Sequence, residues 1–155
     1  MKRIVILLLF TSAFLFSCGG GNEPAQEASA PKEKPQSMLK KKVDPMQDKG
    51  IGPVESVTLA AEVDQEMAAK GKEVYDRLCT ACHKPTERFI GPAPQGILDR
   101  RAPEWVMNMI LNPEQMVKEN EQAKKLLMEY NGSPMANQNL TQEEARQVLE
   151  YFRTL

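Results

Sequence analysis

The stretch Cys79-Thr80-Ala81-Cys82-His83 places two thiols two residues apart, with an imidazole directly after the second. At that spacing each thiol can add to one vinyl group of a porphyrin, forming two thioether bonds. The next residue is then held beneath the ring, where an imidazole reaches the iron. C-x-x-C-H is accordingly the attachment signature of a c-type haem. The chain has 155 residues and one histidine, so His83 is the candidate proximal ligand and Cys79 and Cys82 are the candidate covalent anchors. Other readings compete. A thioredoxin-like redox pair also uses C-x-x-C but expects a neighbouring βαβ pattern, and no strand-rich region is evident. A structural zinc site needs four ligands, usually Cys or His, and the chain reaches four only by counting Cys18. A chance occurrence of the motif is the remaining alternative.

The elements that must position these residues read as helices. Asp64 can cap a first helix, in which Met67, Gly71, Val74, Tyr75 and Leu78 form one apolar stripe leading into Cys79. The motif therefore belongs at the C-terminal end of a helix. Residues 84 to 102 form a loop, because Gly91-Pro92-Ala93-Pro94 and Gly96 cannot continue a helix. Pro103 suits the first turn of the next helix, with Ala102, Trp105, Val106, Met109 and Ile110 on one face. Asn112-Pro113 ends it. A third helical pattern carries Ala123, Leu126, Leu127 and Tyr130, closed by Asn131-Gly132. Thr141-Gln142-Glu143-Glu144 is a capping box opening a last helix that buries Ala145, Val148, Leu149, Phe152 and Leu155. The expected fold is all-α with long loops wrapped around one cofactor, which supplies the apolar body that a chain with 6% aromatic residues lacks.

The rest of the chain reads as export and attachment. Lys2 and Arg3 precede an apolar run from Ile4 to Phe16, too short for a comfortable membrane span. Leu15-Phe16-Ser17-Cys18 resembles a bacterial lipoprotein lipobox, which implies a signal peptide over 1–17 and lipidation of Cys18; an ordinary secretory signal cleaved nearby is the alternative. Residues 18–57 are rich in Gly, Pro, Ala, Glu, Gln and Lys and read as a flexible linker, and 58–155 as the domain. Lys40, Lys41 and Lys42 form a short basic cluster, suited to anionic headgroups or to plain solvation. The net charge of −1 gives a nucleic-acid role no electrostatic support.

With these pieces in order, residues from about 65 to 155 resemble a monohaem class I cytochrome c. Gly71 and Tyr75 match the family's glycine and aromatic of the first helix, which pack against an aliphatic and an aromatic residue of the last; here these are Val148 and Tyr151. Gly91-Pro92 resembles the family's proximal loop, which implies that the Pro92 carbonyl orients His83 and raises its basicity. Pro134-Met135-Ala136, with Asn139-Leu140-Thr141 after it, resembles the distal-ligand loop, although the family more often has proline after the methionine.

A second histidine is absent, so a methionine is the natural sixth ligand, and it raises the reduction potential. The domain offers Met67, Met107, Met109, Met116, Met128 and Met135. Met135, in a loop able to fold over a ring face, is preferred, and Met128 and Met116 remain alternatives. With both axial positions filled by protein, nothing is left for a substrate, so the expectation is electron transfer and not an enzyme. One covalent haem c, a monomeric state, and redox proteins as donor and acceptor complete the reading. The protein is expected to be tethered to a membrane on the periplasmic side and to shuttle electrons from a respiratory donor to a terminal oxidase or reductase, a nitrogen-oxide reductase among them. The uncharged stretch Asn131 to Leu140 is the expected docking patch, with Lys84, Arg88, Arg100 and Arg101 as a basic rim or as ordinary solvated charge. A fixed haem subunit of a respiratory complex, and a haem enzyme or gas sensor with an open distal site, are the alternatives.

Overall fold

The computed structural model describes residues 43–155. The signal, Cys18, the lysine cluster and most of the expected linker lie outside the described residues. Those described are helical and irregular, with no strand among them. Five α-helices occur in chain order: α1 (Gln65–Leu78), α2 (Pro103–Leu111), α3 (Pro113–Glu119), α4 (Glu121–Glu129) and α5 (Gln142–Phe152), with one 3₁₀ turn (Ile97–Asp99) before α2. None is long and apolar enough to cross a membrane.

Each helix begins and ends for a local reason. The Asp64 carboxylate accepts the Met67 amide at 2.9 Å and caps α1. Pro103 and Pro113 open α2 and α3, where the amide that proline lacks has no helical partner to lose. Thr141 and Glu144 satisfy each other's backbone amides in the capping box of α5. Asn131 (φ 58°) and Gly132 (φ 73°) end α4 in the left-handed region, and the Gly132 amide returns to the Leu127 carbonyl at 2.8 Å.

The single helical pattern expected after Asn112-Pro113 is in fact two helices. Asn120 separates them: its backbone is extended, and its side chain accepts the amides of Gln122 and Ala123 at the start of α4. The short α3 is anchored by Met116, which has no exposed surface.

The core forms where α1 and α5 cross. Gly71 makes the crossing possible, because a Cβ there would lie 1.9 Å from the Gln147 carbonyl oxygen and 2.8 Å from the Val148 nitrogen. One turn on, Tyr75 packs against Tyr151 (centroids 5.3 Å) and, edge-on, against Phe152 (5.9 Å). Trp105, Val106, Ile110, Met116, Ala123, Ala145, Val148 and Leu149 extend the same cluster.

Residues 43–57 are not a linker, contrary to the expected boundary at 57. They run over α2 and α3 as a strap held by buried side chains. Asn108 accepts the Val54 amide and donates to the Lys49 and Val54 carbonyls, each at 2.9 Å. The Met116 sulfur accepts the Ile51 amide at 2.9 Å. Asn120 donates to both Asp48 carboxylate oxygens (2.9 and 2.8 Å) and accepts the Trp105 indole N–H at 3.2 Å. Val54 is buried. The composition of the strap is that of a linker; its order comes from polar partners on other helices.

Candidate haem-binding cleft

The helices border an apolar cleft with an open mouth. Tyr75, Leu78 and Cys79 from the end of α1, Trp105, Val106, Met109 and Ile110 from α2, and Val148 and Phe152 from α5 form its floor and walls. The loop after α1 brings in Cys82, His83, Gly91 and Pro92, and the loop after α4 brings in Pro134 and Met135. The cleft thus gathers Cys79, Cys82, His83, Pro92 and Met135 from three stretches of chain: the end of α1, the loop after it and the loop after α4.

His83 is positioned by backbone as much as by side chains. Its amide and that of Cys82 donate to the Cys79 carbonyl (2.9 and 3.0 Å), which closes a tight turn, and the Gly91 amide returns to the Cys82 carbonyl at 2.8 Å. The imidazole Nδ1 lies 2.8 Å from the Pro92 carbonyl oxygen. A carbonyl only accepts, so Nδ1 is the donor in this bond, the arrangement that leaves Nε2 as the nitrogen to bind a metal. Gly91 packs on the face of the ring: a Cβ there would come within 2.4 Å of His83 Cε1 and 2.7 Å of Nδ1.

Cys79 sits at the C-terminal cap of α1, and burial, reinforced by the neighbouring Cys82 charge, pushes its thiol up to about 11. That upward direction is opposite to the lowered thiol pKa that a dithiol redox pair employs. No group of three or more Cys, His, Asp or Glu side chains suited to a metal ion occurs among the described residues; Cys18, the fourth ligand of the zinc reading, lies outside them. The cleft fits a large apolar ring joined at one edge to two sulfurs and capped by one imidazole. Tyr75 agrees with that fit. It lines the cleft at 1% exposure, and its hydroxyl is buried with no hydrogen-bond partner among the described residues. Burial, chiefly, also raises its pKa.

The methionines separate by location. Met128 is 76% exposed, and the sulfur of Met116 is occupied by the Ile51 amide. Met109 and Met135 line the cleft. Met109 belongs to a helix, whereas Met135 belongs to a loop able to move onto a ring face. The expected basic rim is largely tied down. Lys84 pairs with Glu87 at 2.7 Å and covers Phe89. Arg88 reaches Glu129 and Tyr130. Arg100 donates to the Gln95 and Ala93 carbonyls. Arg101 stacks over Trp105 at 5.0 Å, with its pKa lowered by burial and then by the adjacent Arg100. Sequence reading missed the link from Arg88 to the end of α4, since 41 residues separate the partners and no local pattern marks it.

No curated protein matches the chain. Solved structures do. The cytochrome c from Rhodothermus marinus is 42% identical, with a TM-score of 0.64, covering 66% of this chain and 88% of that one. Two engineered forms of that protein match similarly: one at 41% identity and a TM-score of 0.64, with 66% and 89% covered, and one bound to a carbene intermediate at 42% and 0.61, with 66% and 88% covered. The cytochrome c family profile matches residues 68–155, more than half of the chain and all five helices but the first turn of α1. The C-x-x-C-H turn, the apolar cleft and this match together make the chain a member of the cytochrome c family, carrying covalent haem c, with Cys79 and Cys82 as the compatible attachment pair and a role in electron transfer.

Proposed function

We propose that the domain is a one-electron carrier in which His83 and Met135 would hold the haem iron, and that it shuttles between a respiratory donor and a terminal oxidase or reductase. The observation that carries this reading is the convergence of Cys79, Cys82, His83 and Met135 on one apolar cleft. The haem supplies the redox change; the chain supplies everything that sets its environment. Pro92 holds the Nδ1 proton of His83 and keeps Nε2 directed as a base. Apolar walls from α2 and α5 exclude water, which limits rearrangement when charge changes. Protein groups on both axial sides leave no position for a substrate, so the domain is a carrier and not an enzyme.

The finer reading adds attachment at Cys18 to a membrane on the periplasmic side, with two or three acyl chains contributing roughly 0.8 kcal/mol per buried methylene. A nitrogen-oxide reductase is one class of acceptor this carrier would serve. The uncharged Asn131 to Leu140 loop and the exposed Phe89 and Ile90 supply a neutral contact surface for a brief encounter.

The test is the absorption spectrum of the haem-loaded protein, oxidised and reduced, with and without carbon monoxide. The expected result is a low-spin spectrum with a ferric sulfur-to-iron band and no carbon monoxide shift. In Met135→Ala that band is lost and carbon monoxide binds. A parent protein that already binds carbon monoxide at neutral pH supports an open distal site instead. A second reading of that kind draws on the exposure of the loop that bears Met135.

A further inference from the structure

Met135 belongs to a loop with few ties of its own. Between Ser133 and Leu140 the hydrogen bond reaching across to another helix is Asn137 Nδ2 to the Leu111 carbonyl, at a weak 3.4 Å; the Asn139 amide turns back on Asn137 and the Ser133 amide on Tyr130. Met135 and Leu140 pack against the core, and beyond that packing the position of the loop is set by its two ends. The far end is fixed at Thr141 by the capping box of α5. The near end is the turn at Tyr130, Asn131 and Gly132, and there Arg88 reaches over from the loop that follows His83. Its guanidinium donates to the Glu129 backbone carbonyl at 2.6 Å, lies 3.6 Å from the Glu129 carboxylate, and covers the Tyr130 ring at 4.1 Å. Tyr130 in turn lines the cleft.

We propose that Arg88 is a positioning residue for the sixth ligand: it clasps the proximal loop to the end of α4, and so holds the near end of the Met135 loop over the cleft. The inference rests on the reading of Met135 as axial ligand. An exposed ion pair alone contributes little, but this contact adds a charge-assisted bond to a backbone carbonyl and a cation over an aromatic face. Because the principal bond goes to the backbone, the Glu129 carboxylate is the minor part of the clasp. Without Arg88 the turn is free to shift, and an added ligand competes with the Met135 sulfur more readily. In that exchange one sulfur-to-iron bond breaks and one nitrogen-to-iron bond forms, with no electron transferred.

The experiment uses the full-length, haem-loaded ferric protein and follows the sulfur-to-iron band against added imidazole and against rising pH. For Arg88→Ala the imidazole concentration that removes half of the band is expected to fall by about fivefold, and the band is lost at a lower pH. Arg88→Lys, which keeps charge without the planar fork, falls between it and the parent. Glu129→Gln stays near the parent, as does Lys70→Ala, which breaks an exposed ion pair to Glu66 within α1. Arg88→Gln repeats the measurement if the alanine variant fails to fold. Arg88 variants that match the parent in both titrations overturn this proposal alone. A parent without the band overturns the assignment of Met135, and this proposal with it.

Discussion

Gly91 and Pro92 act on His83 from adjacent positions, one by what it lacks and the other by what it accepts. Pro92 presents a carbonyl to Nδ1 at 2.8 Å, and Gly91 leaves the ring face clear by having no Cβ. Gly91→Ala is expected to force the imidazole off that carbonyl and to destabilise the domain by about 1–3 kcal/mol, the usual cost of overpacking; urea unfolding of the haem-loaded variant measures it. Much of the site could be read beforehand at this scale, because attachment chemistry is local: the two thiols and the imidazole occupy five consecutive residues. Pro92 and Met135 came from a resemblance in loop motifs and not from spacing. Arg88 could not be read at all, because its partners are a backbone carbonyl and a ring more than forty positions away.

Between elements, the crossing of α1 and α5 and the strap over α2 and α3 hold the cleft from different sides. An exposed helical glycine replaced by alanine gains about 1 kcal/mol. At Gly71 the added Cβ meets backbone atoms of α5 at 1.9 and 2.3 Å, and backbone cannot give way cheaply. Gly71→Ala is therefore expected to lower stability by about 3 kcal/mol, a change opposite in sign to the propensity gain, read from the urea midpoint. Asn108→Ala removes the partner of three backbone groups in the strap and should cost about 2–3 kcal/mol. The Val54 amide, exchanging hydrogen faster with solvent than in the parent, locates that loss. The helices with capping residues and apolar stripes were readable from sequence, α1 down to its Asp64 cap. The short α3 and the strap were not, because the order of residues 43–57 depends on Asn108, Met116 and Asn120, whose partners lie more than fifty positions away.

At the scale of the whole molecule, Glu150 joins the end of the chain to the segment before α1. Its carboxylate is 1% exposed, accepts the Asp64 amide at 2.9 Å, and pairs with Arg146 and Arg153, each at 2.5 Å. Arg153 also donates to the Ala60 and Ala61 carbonyls. Burial by itself would raise the Glu150 pKa, but the hydrogen bond from Arg146, the Asp64 amide and the two arginine charges outweigh it and hold the group below its ordinary 4.5. A depressed carboxylate contributes stability that is complete above the unfolded value and is lost as pH falls through the folded one. Thermal stability is thus expected to decline as pH drops below about 4.5, and Glu150→Gln, less stable than the parent at neutral pH, should show a flatter decline. Melting curves across that range test both.

The strap has a mechanical consequence as well. Chain entering the domain from the N-terminal side meets Asp48, Ile51 and Val54, fastened to α2, α3 and Asn120, before it reaches α1 and the thiol at its end. A pull along the chain from that side is borne first by these bonds, much as a cable clamp takes the load before the solder joint, so the helix carrying Cys79 is shielded from drag on whatever precedes residue 43.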